Sequence, residues 1–205
     1  MLTRRTLLAR TTALAVIAVL PWTAVRAQSG DPTAFIVQLG NELVAIVNGA
    51  GSYEEKKRRL EPLIGQAVDI DAIAQFCLGR FWRTSPPAQQ QEYTQLFRTV
   101  LLNNIAGKLG QFQGVSFAPT TTTQREGNAA VGTTIRRPNQ QPNAVQWIVS
   151  QSTGRPKVID VVAEGISLRL TQRNDYAAVL SRNGNDVGAL IRALEEQVSR
   201  GAGIR

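Results

Sequence analysis

Residues 115–150 read VSFAPTTTTQREGNAAVGTTIRRPNQQPNAVQWIVS, and a change of period at the start of this stretch decides the fold. Upstream of Val115 the apolar residues recur every three or four positions. From Val115 onward threonine and valine replace leucine and glutamine, and the alternation has period two. Val131, Thr133 and Ile135 fall on one face of an expected strand, as do Val145, Trp147 and Val149 on the next. The pattern predicts strands at Val115–Pro119, Ala129–Arg136, Ala144–Ser150, Lys157–Ala163 and Ile166–Thr171. Arg125–Asn128 and Pro138–Asn143, which lie between them, have turn composition. Connections this short favour antiparallel pairing.

Working outward toward the amino terminus, the chain turns helical. Phe35, Ile36, Leu39, Leu43, Ile46 and Val47 share one helix face, and Gly49 marks its end. Ser52 and Glu55 form a capping-box pattern that starts a second helix, with Leu60, Leu63 and Ile64 inward. The run Lys56, Lys57, Arg58, Arg59 on it reads as a solvated face, with a docking site for acidic groups as the alternative. Ile70, Ile73, Phe76 and Cys77 make a short third helix that stops at Gly79. Ser85-Pro86-Pro87 is a helix-start signal. Tyr93, Leu96, Phe97, Val100, Leu101, Ile105, Leu109 and Phe112 then form a stripe about five turns long. Beyond the strands, helices are expected from Asp175 and from Asp186, the latter carrying Val187, Leu190, Ile191, Leu194 and Val198. Helices, then strands, then helices is an α+β order: a sheet of about five antiparallel strands against a mainly N-terminal helical layer, with C-terminal helices. No internal repeat and no second domain is evident.

The first 27 residues read as a signal peptide. Arg4, Arg5 and Arg10 precede an apolar run from Ala13 to Leu20, and Val25 and Ala27 fit a cleavage site that leaves Gln28 first. The apolar run is far short of the roughly 20 residues of a membrane span. Thr3 to Leu8 is similar to a twin-arginine export signal, although ordinary signals also carry paired arginines. The segment holds four arginines and no acid, so its removal takes the net charge from +8 to +4. The expected mature chain, residues 28–205, is one soluble domain. With no histidine, a histidine-dependent triad is impossible and a zinc site would need carboxylates alone. The single cysteine, Cys77, lies between Phe76 and Leu78 and reads as a buried, inert thiol.

Phe76, Leu78, Gly79, Arg80, Phe81 and Trp82, a serine-proline helix start, and Phe97 in a long helix resemble the helical half of the MlaC, or toluene-tolerance, family. Val158 to Leu168 looks like its DV-x-x-EG-x-SL signature, and Arg173, Asp175, Tyr176 and the closing helix with Leu190 agree. Arg155 and Pro156 depart from the pattern, where many members carry a tryptophan. The resemblance implies a periplasmic carrier that shields phospholipid acyl chains between a strongly bent sheet and helices, for outer-membrane lipid asymmetry. The partners it implies are phospholipid, an inner-membrane ABC transporter with its MCE-domain component, an outer-membrane lipoprotein complex, and transient membrane-surface contact. It implies no catalysis, and no cofactor beyond lipid cargo. A branch of the family is associated with hopanoid lipids, so the identity of the lipid stays open.

A carrier needs apolar walls. The candidate lipid-contacting residues are Leu43, Val47, Phe97, Leu101, Ile105 and Leu109 on helices, and Phe117, Val131, Ile135, Val145, Trp147, Val149, Val162 and Leu168 on strands. The same residues suit plain core packing. Asp160 and Glu164 offer a second class, a small α+β enzyme, against which stands a structural role in bonds to the backbone or to Arg169 or Arg173. Gly165 suits a tight strand connection, and Phe81 and Trp82 suit packing under the sheet or a place at a pocket rim. A nucleic-acid binder driven by Lys56–Arg59 is a third class, disfavoured by export, modest charge and few aromatics.

Overall fold

The computed structural model describes residues 30–202, and within them the side chains of residues 109, 110, 201 and 202 lie outside the description. The expected signal segment, residues 1–27, also lies outside it. Asp31 caps the first helix, α1 (Pro32–Asn48), by accepting from the Thr33 and Ala34 N–H groups at 3.0 and 3.3 Å. Pro32 at its start has no donor to lose. Helix α2 (Tyr53–Ala67) opens on the capping box: the Ser52 N–H donates to Glu55 Oε2 at 2.7 Å, and the Glu55 N–H to Ser52 Oγ at 3.3 Å. Of the basic run, Arg58 and Arg59 are exposed, while Lys56 donates to the Val47 carbonyl at 2.7 Å.

Helix α3 (Ile70–Leu78) stops at Gly79, whose φ of +61° is a backbone state that side chains other than glycine's resist. One helical turn and a half follows as α4 (Arg80–Thr84). Ser85 does not cap the next helix; its hydroxyl donates back to the Phe81 carbonyl at 2.9 Å. Helix α5 (Pro87–Ala106) is shorter than its apolar stripe. Gly107 and Gly110 are poor helix formers, and the chain tightens into a 3₁₀ turn over Leu109–Phe112.

Five strands form one antiparallel meander in chain order: β1 (Ser116–Arg125), β2 (Asn128–Arg136), β3 (Asn143–Ser150), β4 (Lys157–Ala163) and β5 (Ile166–Ser167). Two hairpins turn on a glutamate and a glycine, both at positive φ: Glu126-Gly127 and Glu164-Gly165. Strand β1 runs six residues past the expected end at Pro119, because an extra residue between Pro119 and Thr122 bulges out and the pairing resumes. Over Gly132 the bulge comes so close that a Cβ there would lie 2.5 Å from Thr120 Oγ1 and 2.8 Å from the Thr121 carbonyl oxygen.

The fifth strand is a correction to the expectation of Ile166–Thr171. It stops after Ser167, and α6 (Leu168–Arg182) begins at once, seven residues before Asp175. The alternating run Leu168, Arg169, Leu170 reads as strand, but local capping overrides it. Ser167 Oγ accepts from the Leu170 N–H at 3.0 Å, and Asp160 Oδ1 accepts from the Arg169 N–H at 3.0 Å. The last helix is α7 (Val187–Ala202), entered through Asp186, which accepts from the Gly188 and Ala189 N–H groups.

The helices share one core. Tyr93, Phe97 and Tyr176 meet at centroid separations of 6.0 to 6.2 Å, and the Tyr93 hydroxyl donates to the Ala74 carbonyl at 2.9 Å. A second cluster joins α1 and α2 to the sheet through Ile36, Leu39, Ala67, Ala129, Val131, Val149 and Val158. A third, Ala130, Ile148, Ile159 and Val162, lies on the opposite sheet face.

Candidate functional site

Helix α1 lies against the first two strands, and its contact with β1 is made by a ring in a notch. A Cβ at Gly40 would stand 2.6 Å from Phe117, so only glycine lets that ring seat against the helix. Asn48 pins the same seam at its far end, donating to the Val115 carbonyl at 2.9 Å and accepting from the Gly114 N–H at 2.8 Å. Thr33 and Thr122 hydroxyls meet at 2.9 Å at the other end. On the sheet side the Trp147 indole N–H donates to Thr133 Oγ1 at 3.0 Å, and that hydroxyl donates to the Val145 carbonyl at 3.2 Å. The two bonds hold the indole on the helix-facing side with its N–H paired.

The candidate lipid-contacting residues divide among these layers. Val131 and Val149 sit in the helix–sheet cluster, with Leu43, Phe117 and Trp147 packed on it. Val47 and Phe97 belong to the helical core, with Leu43, Leu101, Ile105 and Ile135 packed against it. Leu43 and Val68 touch both clusters, so the two form one continuous apolar seam. Val145 is buried and paired with Thr133 and Ala163. The side chain of Leu109 lies outside the described residues.

Two candidates stand apart. Val162 is on the far face, because β4 carries an extra residue opposite the step from Ile148 to Val149. The bulge reverses the alternation, so Val158 and Val161 face the helices and Val162 does not. Leu168 opens α6 and is 52% exposed. Conversely, the seam includes Ile36, Leu39, Ala67 and Val158, which were not among the candidates. Ile36 and Leu39 carried a usable signal, sharing a helix face with Leu43.

The carboxylates of Asp160 and Glu164 do separate structural work. Asp160 is 6% exposed, and its oxygens accept from the Val161 N–H (2.8 Å), the Arg169 N–H and Ser167 Oγ (2.6 Å). Glu164 is exposed in its hairpin and accepts from Asn143 at 3.0 Å. Cys77 is 2% exposed, and burial pushes its thiol up to about 12. Its Sγ–H points at the Arg169 carbonyl, 3.6 Å away. The Tyr93 and Tyr176 phenols are likewise pushed up by burial. Surface depressions elsewhere do not touch the seam: one lies along α7 between Arg192 and Arg200, another between α6 and α7 over Tyr176, Val179 and Leu190. Among the described residues no helix is long and apolar enough to cross a membrane.

The comparisons with known proteins agree with this architecture. The toluene tolerance protein ttg2D of Pseudomonas putida is 26% identical over 144 residues, which cover 69% of this chain and 66% of that protein. The chain thus spans just under two thirds of that relative's length. The solved structure of a phospholipid-binding protein from Ralstonia solanacearum, in complex with a phospholipid, superposes with a TM-score of 0.74. It is 26% identical and covers 84% of this chain and 99% of its own. Residues 38–196 match the family described as MlaC protein. That match takes in α1 from Gln38, the whole sheet and most of α7, and the chain therefore belongs to the MlaC family.

Proposed function

We propose that the protein is a carrier of phospholipid between membranes, with the acyl chains held in the seam between α1, α2 and the helix-facing side of the sheet. The observation that carries this reading is the continuity of the two apolar clusters through Leu43 and Val68, in a chain whose fold is shared with a protein solved with phospholipid bound. Each methylene taken from water is worth about 0.8 kcal/mol, so a 16-carbon chain gains on the order of 12 kcal/mol in such a seam. Apolar side chains line the seam, and the Trp147 N–H is already paired with Thr133, so an acyl chain does not strand it.

Residues 1–27 act as the export signal, and residues 28–205 work as a single domain in the aqueous space between two membranes. The partners follow from that place: a lipid-donating lipoprotein complex in one membrane, an ABC transporter with an MCE-domain component in the other, and brief contact with the membrane surface. No catalytic step is involved. Asp160 and Glu164 are occupied in holding the start of α6 and a hairpin.

Mass spectrometry of the lipid that accompanies the purified protein tests the reading. A glycerophospholipid in roughly equimolar amount is expected. A hopanoid would move the protein to that branch of the family, and no lipid, with none taken up from vesicles, would refute the carrier role. A Leu43→Ala variant, which shortens a half-buried side chain shared by both clusters, should keep the helical circular-dichroism signal and retain less lipid.

A further inference from the structure

Phe76 on α3 carries two cations. The Arg169 guanidinium lies 4.1 Å and the Arg173 guanidinium 4.9 Å from its ring centroid, both reaching across from α6. One turn apart on that helix, they share the face that meets α3. Both side chains are partly buried. Partly buried cations are ordinarily paired with carboxylates. Here neither is: the ion pairs among the described residues are Arg98–Asp71 and Arg192–Asp186. Asp160, which accepts from the Arg169 backbone, is engaged by the Val161 and Arg169 N–H groups and by Ser167. The Arg169 Nε is buried and lacks any hydrogen-bond partner among the described residues. Arg173 rests against Gly79, where even a Cβ would come within 3.3 Å of its Nη2, so the negative end of α3 offsets part of its charge.

A guanidinium held over a ring still carries its Nη N–H groups, and these match the oxygens of a phosphate. The surroundings give the second indication. Ile166, Leu168 and Leu170, which flank Arg169 in sequence, are 60%, 52% and 48% exposed. Arginine between exposed aliphatic side chains suits the boundary where a lipid headgroup meets its chains.

We infer that Arg169 and Arg173, held over Phe76, form a phosphate-binding site that takes the phosphodiester of a phospholipid headgroup. The lipid part of this inference rests on the carrier reading above, whereas the affinity of the pair for phosphate does not. The test follows the arginine Nε–H resonances of the lipid-stripped protein by NMR. It uses three additions: inorganic phosphate, dihexanoylphosphatidylglycerol, and dihexanoylglycerol, which lacks the phosphate.

The expected result is that phosphatidylglycerol moves the Arg169 and Arg173 signals at lower concentration than inorganic phosphate does, and that dihexanoylglycerol leaves them in place. Arg169→Gln and Arg173→Gln should each weaken phosphatidylglycerol binding by about tenfold and leave dihexanoylglycerol binding unchanged. Arg173→Lys should recover only part of that loss. Arg182→Gln, remote from Phe76 on the exposed end of α6, is the control. Movement with inorganic phosphate alone would overturn the headgroup assignment. Phosphatidylglycerol binding that moves neither signal and ignores both Gln variants would overturn the site and leave the carrier role standing. Failure of both lipids to bind would overturn the carrier role, and the inorganic phosphate titration would then decide whether the pair binds phosphate.

Discussion

Cys77 shows how much one buried group says about the interior. Burial holds its thiol near 12, against an ordinary 9.0, with the Arg169 and Arg173 charges pulling the other way and losing. Above pH 9 the unfolded chain gives up this proton and the folded chain keeps it, so the unfolded state binds fewer protons. Stability is therefore full below pH 9 and falls as pH rises toward 12, with Tyr93 and Tyr176 adding to the fall above 10. Urea titrations at pH 8, 9 and 10 should show the decline in the native protein and a smaller one between 9 and 10 in Cys77→Ala. In the folded protein at pH 8 a thiol reagent should react only at the rate of unfolding. Gly40 makes a different point, about space. Alanine there gains helix propensity of about 1 kcal/mol but drives a methyl against the Phe117 ring, which costs about 1–3 kcal/mol. A net loss of about 1 kcal/mol is expected from the urea midpoint, recovered in Gly40→Ala with Phe117→Leu. A midpoint that rises in the single variant would refute the close fit.

Among the elements, α6 depends most on residues far from it in the chain. Asp160 on β4 accepts from the Arg169 N–H in its first turn and from the Ser167 hydroxyl that caps it. Asp160→Ala orphans three donors and should cost about 2–4 kcal/mol, with Asp160→Asn losing less because one acceptor remains. Circular dichroism through a urea series reads both, and equal losses would argue that the negative charge, not the acceptor, matters. This dependence also explains where sequence reading succeeded and where it did not. The capping box at Ser52, the stop at Gly79 and the strands β2, β3 and β4 are local patterns, legible because neighbours a few residues away determine them. The switch from strand to helix at Leu168 is decided by Asp160, eight residues earlier and across a hairpin, so the alternation of Leu168 and Leu170 misleads. The bulge in β4 is equally silent in the sequence, and it alone puts Val158 rather than Val162 on the helix-facing side. The end of α5 falls between these cases, since Gly107 and Gly110 were visible inside a stripe that ran past them.

At the scale of the whole molecule, helices and sheet are two layers joined along the α1–α2 seam, at β4 by α3 and α6, and, among the described residues, by one backbone link between segments far apart in the chain. Val68 bridges Val158 in parallel, and the Asp69 N–H donates to the Val158 carbonyl at 2.9 Å. A lipid lying in the seam would tie these layers together. At a free concentration 100 times its dissociation constant, it would add about 2.7 kcal/mol to stability. Stripping the lipid should lower the Tm by roughly 5–10 °C, and re-addition should restore it. An unchanged Tm would mean that the folded protein binds no lipid under these conditions. The meander has one more consequence, and it concerns how the chain folds. Every strand pairs only with its neighbours in sequence, so each hairpin closes only a short loop and the sheet is expected to form before the link at Val68. The link at Val68 spans ninety residues and closes late. Contacts that form last tend to open first, so the Asp69 amide should exchange with solvent deuterium sooner than those of β2 and β3.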